Sequence, residues 1–306
     1  AAGILTPEYA TRYSTLYQRF NGDVVGWKFF GDNSAYGCYQ GTNYLNMRKA
    51  DTYDKFYLSM WSLSETNGNY ENVRNVKIAN WGAYINDPYG GRNPQGRWDF
   101  YPVNGAGNGH MYVQNSAGSL VFNEWSNMGY SSFHLGDQTW NRLEGYFRAG
   151  GVGVANGGYS IWMDNQLLMD SGNLLILDSS FPLGPDEIHI THYYDDVTSG
   201  SPRPEANIYH GEIYIDITQA RIEVCNNIDK TLATHCEIQI PHTTWDGSNI
   251  QFTANQGSFL DTENLWLFVI DETGIVSNGV PVSFSGVISE CTLTSSSWSA
   301  ITAIEG

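Results

Sequence analysis

The chain has 306 residues, with 15 Lys and Arg against 32 Asp and Glu, for a formal net charge of −17. A chain this acidic does not bind nucleic acid by neutralising phosphates, nor adhere to anionic membranes by charge. It has no run of about 18 apolar residues to insert into a bilayer, and an aromatic content of 14% argues against disorder.

The start, Ala1-Ala2-Gly3, reads as the processed terminus of a secreted, extracellular protein, because signal peptidases cut after small residues. Residues 6–20 predict a short N-terminal helical arm. Thr6 suits the cap, Pro7 the first helical position, and Tyr9, Tyr13, Leu16, Tyr17 and Phe20 recur at three- and four-residue spacing.

Beyond the arm, helical periodicity gives way to short β-rich runs between Gly, Asn, Asp and Pro clusters. The runs fall near 24–30, 56–63, 73–85, 110–114, 119–123, 140–149, 158–163, 166–170, 186–194, 212–217 and 219–224. Many short strands with turn signals between them predict an all-β sandwich or barrel. In 140–148, Leu143 and Phe147 alternate with Glu144, Tyr146 and Arg148, as in a sheet with one face in the core.

Residues 80–102, NWGAYINDPYGGRNPQGRWDFYP, read as an exposed binding loop. Aromatic rings stack on sugar faces and planar polar groups meet hydroxyls. Trp81, Tyr84, Arg92, Arg97, Trp98 and Tyr101 are therefore the candidate glycan ligands. A loop this long in a compact domain is usually functional.

Composition changes near Cys225. Residues 226–306 hold one basic residue, Lys230, and nine acidic ones, nearly half the net charge in about a quarter of the length. The division expected is 1–225, a first β-domain with the arm, and 226–306, a small β-module with a Ser/Thr-rich tail. Strands are expected near 237–240, 249–254, 265–271 and 280–284. Cys225 and Cys236 flank a polar loop and are expected to pair, leaving Cys38 and Cys291, although four Cys allow three pairings.

Two stretches resemble known families. WNRLEGYFRAGGVGVANGGYSIWMDNQLLMD, 140–170, resembles paired strands of concanavalin-A-like jelly rolls of the polysaccharide-lyase and lectin type, through Trp140, Leu143, Glu144, Gly158, Trp162, Asp164 and Asn165. Asp164-Asn165 stands where Asp-Gly is usual and still tolerates a left-handed turn. GEIYIDITQARIEV, 211–224, resembles the closing strands of such a sandwich. Residues 237–284 resemble a small immunoglobulin-like module of bacterial extracellular proteins, through Trp245, Ile250, the NQGSF run at 255–259 and residues 267–274. The fold these resemblances imply is a jelly-roll sandwich with a C-terminal immunoglobulin-like module.

The strand EIHITHYYDD, 187–196, resembles strands of uronate lyases, in which Tyr or His takes the C5 proton and protonates the leaving oxygen. An Arg, Asn or Gln must neutralise the sugar carboxylate so that a carbanion can form. The candidate set is His110, Gln114, His192 and Tyr194, with Arg48, Lys77 or Arg92 as neutraliser. Net charge favours a neutral glycan over a polyuronate.

Hydrolase chemistry lacks support. Glu212 and Asp216 are four apart on a strand, about 13 Å, beyond the roughly 5–9.5 Å of glycosidase carboxylate pairs. Nucleophile-elbow, zincin and P-loop motifs are absent. Calcium is the cofactor the acidic loops suit, structural in role, with Asp23 and Asp216 as ligands.

The first reading is a secreted glycan-binding protein whose jelly-roll face is lined with Trp, Tyr and Arg. The alternatives are a polysaccharide lyase acting by β-elimination, and a cell-surface, filament or virion structural subunit that self-associates through its terminal arms.

Overall fold

The computed structural model describes residues 18–19, 23–24, 27–30, 44–48, 54–66, 73–82, 96–103, 106–114, 120–125, 140–180, 182, 184–185, 187–196, 206–245, 249–284, 291–294 and 302–304. Side chains are described for 54–62, 79, 140–180, 182, 184–185, 188, 190, 212–239 and 250–284. Every strand pairing among them is antiparallel, and the protein is all-β, as its turn-punctuated sequence predicts.

The strands in chain order are β1 (Gln18–Arg19), β2 (Asp23–Val24), β3 (Trp27–Phe30), β4 (Tyr44–Arg48), β5 (Lys55–Thr66), β6 (Val73–Gly82), β7 (Gly96–Val103), β8 (Ala106–Gln114), β9 (Leu120–Trp125), β10 (Asn141–Arg148) and β11 (Gly157–Met163). They continue as β12 (Gln166–Leu174), β13 (Glu187–Asp196), β14 (Ala206–Asp216), β15 (Arg221–Cys225), β16 (Cys236–Ile238), β17 (Ile240–Trp245), β18 (Asn249–Thr253), β19 (Leu265–Ile270), β20 (Val280–Val282), β21 (Cys291–Thr294) and β22 (Thr302–Ile304).

Two six-stranded sheets form the first part. Sheet one has the order β12-β11-β10-β5-β14-β3, and sheet two β4-β13-β6-β7-β8-β9. Register explains how each sheet acquires an apolar face. In sheet one Phe56, Phe147 and Tyr159 stand in one cross-strand row, and Met60, Leu143 and Met163 in another. All six are buried. In sheet two Ala79, Ile188 and Ile190 are wholly buried. These apolar faces make the core of a β-sandwich.

The chain changes partners between β14 and β15. β15 pairs only with later strands, in a four-stranded sheet of order β16-β15-β19-β20, and β17-β18-β21-β22 form another. Ile222, Val224, Leu265, Leu267 and Val269 from the first of these pack against Ile250 and Phe252 of β18, with Phe259 between. All five residues of β15 are buried. One face feeds that core; the other, Arg221, Glu223 and Cys225, turns toward sheet one.

Three sequence expectations change. Gln18 and Arg19, at the end of the expected helix, are a strand paired with Val24 and Asp23; the Asn21-Gly22 dipeptide between them is a hairpin signal. The rest of the arm lies outside the described residues. The expected loop at 80–102 begins in β6 and ends in β7, because RWDFY alternates polar and aromatic residues at the period of a strand. The polar face of β10 is solvated only at its far end: Arg142 and Glu144 are as buried as Leu143, Tyr146 is half-buried and Arg148 is exposed.

Cys225 and Cys236 form a disulfide that closes the loop carrying Lys230. Cys38 lies outside the described residues, as does the Cys291 side chain. Replacing Cys225 and Cys236 together by Ala is expected to lower the unfolding free energy by about 3 kcal/mol, the entropy of closing a loop of this length. Urea unfolding followed by Trp fluorescence measures it.

Candidate functional site

Sheet two brings chemistry-bearing residues together through register. Leu45, Ile190, Ala79, Trp98, Met111 and Glu124 form one cross-strand row. Met47, Ile188, Trp81, Gly96, Val113 and Phe122 form another. The buried Ala79, Ile188 and Ile190 mark these as rows of the packed face.

The row between them is Asn46, His189, Asn80, Arg97, Tyr112 and Asn123. Directly paired residues share a face and adjacent rows alternate, so this wholly polar row belongs to the opposite face. A second row of that face is Tyr193, Lys77, Asp99, His110 and Trp125. Ile78 is an extra residue in β6 between Lys77 and Ala79. A bulge re-aims a strand by one residue, and without it Lys77 would take the packed face with Ala79.

Register also places the residues picked from sequence. His110 and Arg97 fall in the polar rows, and Tyr101 follows Asp99 on the same alternation of β7. Trp81 and Trp98 stand in the packed rows. Tyr194 is in a row with Val76, Phe100 and Gly109, one residue away from the His110 row. His192 falls within the irregularity between Ile190 and Tyr193, and Gln114 pairs with Leu120 beyond another. Arg48 pairs with Glu187 near the edge. Tyr84 and Arg92 lie outside the described residues. His189 and Asn80 escaped selection because strand pairing across about a hundred residues, not spacing, aligns them; Tyr112, on the His110 alternation of β8, joins them through the consecutive strands β6, β7 and β8.

Asp23 and Asp216 belong to different sheets. Asp216 accepts hydrogen bonds from Thr218 N at 2.8 Å and Thr218 Oγ1 at 3.1 Å, which closes its turn. Among the described residues the one group of three His, Cys, Asp or Glu with convergent ligand atoms is Glu223, Cys225 and Cys236, and its two sulfurs are bonded to each other.

A different cluster lies where β15 covers sheet one. Arg142 reaches both Glu223 oxygens, at 2.8 and 3.1 Å, and Glu144 at 3.4 Å. Arg221 donates through Nη2 to Glu144 at 3.0 Å, through Nε to Glu223, and lies 4.2 Å above the Tyr57 ring. The Tyr57 hydroxyl donates to Glu144. Lys230 Nζ stands 3.0 Å from Glu223 and donates to Asn165 Oδ1 at 2.8 Å.

Local structure sets these positions. Asp164 and Asn165 adopt positive φ, 48° and 64°, in the turn between β11 and β12. This tight turn presents Asn165 to the disulfide loop, where its amide also donates to Ala233 O at 3.0 Å. Gln166 donates to Thr231 O at 2.9 Å.

Burial alone would raise both carboxyl pKa values. Arg142, Lys230 and Arg221 overcome it, holding Glu144 below the ordinary 4.5 and Glu223 well below it. Burial lowers Lys230, against the pull of Glu223 and Glu144, and raises Tyr57 well above 10.

Nearby, His235, Glu237 and Ser258 invite comparison with a catalytic triad. Yet Ser258 Oγ, at 3.3 Å, and the Glu237 carboxylate, at 2.5 Å, meet the same ring nitrogen. A relay needs the two on opposite nitrogens. The imidazole packs between Phe259, at 4.0 Å, and Trp61, at 6.1 Å.

Beside the ionic cluster opens a cleft of about 590 Å³. Glu144, Arg221 and Lys230 line its charged part, Trp162 and Phe268 its aromatic part, and Gln219 reaches it near Gly274. Gly274 has φ +89°, and a Cβ there would meet Gln219 Oε1 at 2.8 Å, so only glycine lets the 271–274 turn close against Gln219.

Glu223→Gln is expected to cost about 3–5 kcal/mol, because it leaves three buried cations with one carboxylate. The carboxylate pKa values are depressed in the folded state. Their stabilisation is therefore full above the ordinary glutamate pKa of 4.5 and is lost as pH falls through the lower folded-state values. Urea unfolding at pH 6 and at pH 3 tests both: the wild-type protein loses more stability between the two than Glu223→Gln does.

No family model and no curated protein matches the chain. Among solved structures, alginate lyase Aly36B is similar at a TM-score of 0.46 and 13% identity, over 70% of this chain and 92% of that one. The alginate lyase of Aplysia kurodai is similar at 0.45 and 12%, over 65% and 85%. The binding domain of botulinum neurotoxin serotype C1 is similar at 0.41 and 8%, over 94% and 78%. Likeness at this level assigns no activity.

Proposed function

We propose that the protein binds a polysaccharide across the polar face of sheet two and cleaves it by β-elimination beside a uronate carboxylate. The observation that carries this reading is the row Asn46, His189, Asn80, Arg97, Tyr112 and Asn123. Neighbouring strands are about 4.8 Å apart, so Asn80, Arg97 and Tyr112 span about 10 Å, room for a uronate ring and the glycosidic oxygen beside it.

The chemistry needs three functions. Arg97 and Asn80 neutralise and hydrogen-bond the carboxylate, which makes the C5 proton acidic and stabilises the enolate-like intermediate. Tyr112 or His189 takes that proton, the electron pair forms the C4–C5 double bond, and the C4–O bond breaks. The other group, or the same one carrying the proton it took, protonates the departing oxygen. The products are a new reducing end and an unsaturated uronate.

Over the two rows, Arg97 and Lys77 stand against one carboxylate, Asp99. The sequence-level preference for a neutral glycan thus gives way locally to an acidic one. Simple glycan binding is the coarser form of this reading, with Trp125, Tyr193 and Tyr101 as the aromatic residues of that face. A disulfide is typical of secreted proteins, and an extracellular polymer as ligand fits that location. No helix among the described residues is long and apolar enough to cross a membrane. Nothing among the described residues supports self-association through the terminal arms.

The test is incubation with polymannuronate, polyguluronate, polyglucuronate and polygalacturonate, following the ultraviolet absorbance of the unsaturated product. At least one polymer is expected to yield it. Arg97→Ala and Tyr112→Phe are each expected to reduce kcat/KM roughly 10²-fold or more. Binding without product from any of the four leaves only the glycan-binding form, and absence of both binding and product overturns the reading.

A further inference from the structure

The junction cleft is built by residues that the polar face of sheet two does not use. Its buried ionic cluster is unbalanced: Arg142, Arg221 and Lys230 stand against Glu144 and Glu223, one cation in excess. Asp229, on the rim, is taken up within its own turn, accepting from Thr231 N at 2.9 Å and Thr231 Oγ1 at 2.7 Å. Lys230 has partners for two of its three protons, Asn165 and Glu223.

A second observation is independent of charge. Gln219 is 8% exposed, lines the cleft, and its side-chain amide has no hydrogen-bond partner among the described residues. Its backbone carbonyl is used by Arg221 Nη1, but the amide is not. A buried amide left unpaired costs about 1–3 kcal/mol, and a ligand in the cleft would supply the missing partner.

The remaining walls narrow the ligand. Trp162, directly paired with Glu144, and Phe268 offer aromatic surface. The Asn278 amide is a further polar group without a partner among the described residues, and Ile228 forms an apolar rim at 64% exposure. The volume lies within the range of small-molecule sites. One excess cation beside Glu144 suits a single carboxylate better than a doubly charged phosphate. Aromatic wall plus amides suits a sugar ring.

We propose that the junction cleft is a second binding site, for a carboxylate-bearing mono- or disaccharide. The carboxylate meets Lys230 and the guanidinium of Arg221, the ring lies on Trp162, and Gln219 hydrogen-bonds a hydroxyl. This goes beyond the reading of sheet two and stands without it.

Calorimetric titration of the full chain with D-glucuronate, D-glucose and acetate tests it. An Arg97→Ala background removes the polar face of sheet two from the measurement, and a monosaccharide has no glycosidic bond to cleave. Saturable glucuronate binding is expected in that background, with glucose and acetate at least about tenfold weaker. Gln219→Leu is expected to weaken glucuronate about tenfold, the worth of one hydrogen bond to a buried amide. Ile228→Asp, an exposed change that keeps the fold if Gln219→Leu does not, is expected to weaken it severalfold by repelling the carboxylate. Loss of saturable binding in the Arg97→Ala background overturns the proposal. So does glucose or acetate binding as well as glucuronate, or undiminished binding in the folded cleft variants.

Discussion

Glu223 has no exposed surface and faces Arg142, Arg221 and Lys230. An isolated carboxylate there would cost several kcal/mol of desolvation, so its position dictates those of its neighbours. Arg142 comes from β10, Arg221 from β15 itself, and Lys230 from the disulfide loop. Each cation is useful only if the others and both carboxylates are also in place. The interaction therefore acts less as added stability than as a specification of how β15 covers sheet one. The Asp164-Asn165 turn and the disulfide serve the same requirement, since each fixes the loop that delivers Lys230.

This requirement explains an unusual burial pattern. β10 and β15 bury charged residues on one face and apolar residues on the other. In β10 the apolar face, Leu143 and Phe147, enters the core of the sandwich. In β15 the apolar face, Ile222 and Val224, enters the core of the downstream sheets. The charged faces meet between them, so the two cores are joined through an ionic layer rather than merged. Such a layer tolerates no slippage, because a one-residue shift of either strand would bring apolar side chains against buried charge.

Local features of this arrangement were legible in the sequence. The alternation in 140–148, the left-handed turn at Asp164-Asn165, the Cys225–Cys236 bridge and the all-β class all follow from neighbouring residues. What depended on distant residues was not. Glu144 carries the pattern of a solvated face because the strand that covers it begins 77 positions later, at Arg221. RWDFY reads as loop because glycine and proline surround it, though its period is that of a strand. The polar row through His189, Asn80, Arg97 and Tyr112 needed register, and the Ile78 bulge reversed the face that plain alternation gives Lys77.

The net charge of −17 illustrates the same separation of scales. Summed over the chain, it argues against an acidic ligand. Charges on the surface are screened beyond about 8 Å at physiological ionic strength, so a binding face responds to its own few residues. The chain has only 15 Lys and Arg. Three are buried around Glu144 and Glu223, and Lys77 and Arg97 stand in the polar rows of sheet two. A cation held by strand register among polar partners can favour an acidic group locally even in an acidic chain. Under the proposed reading, the acidic surround repels polyanions at long range and the strand-fixed cations act only on a carboxylate already seated beside them.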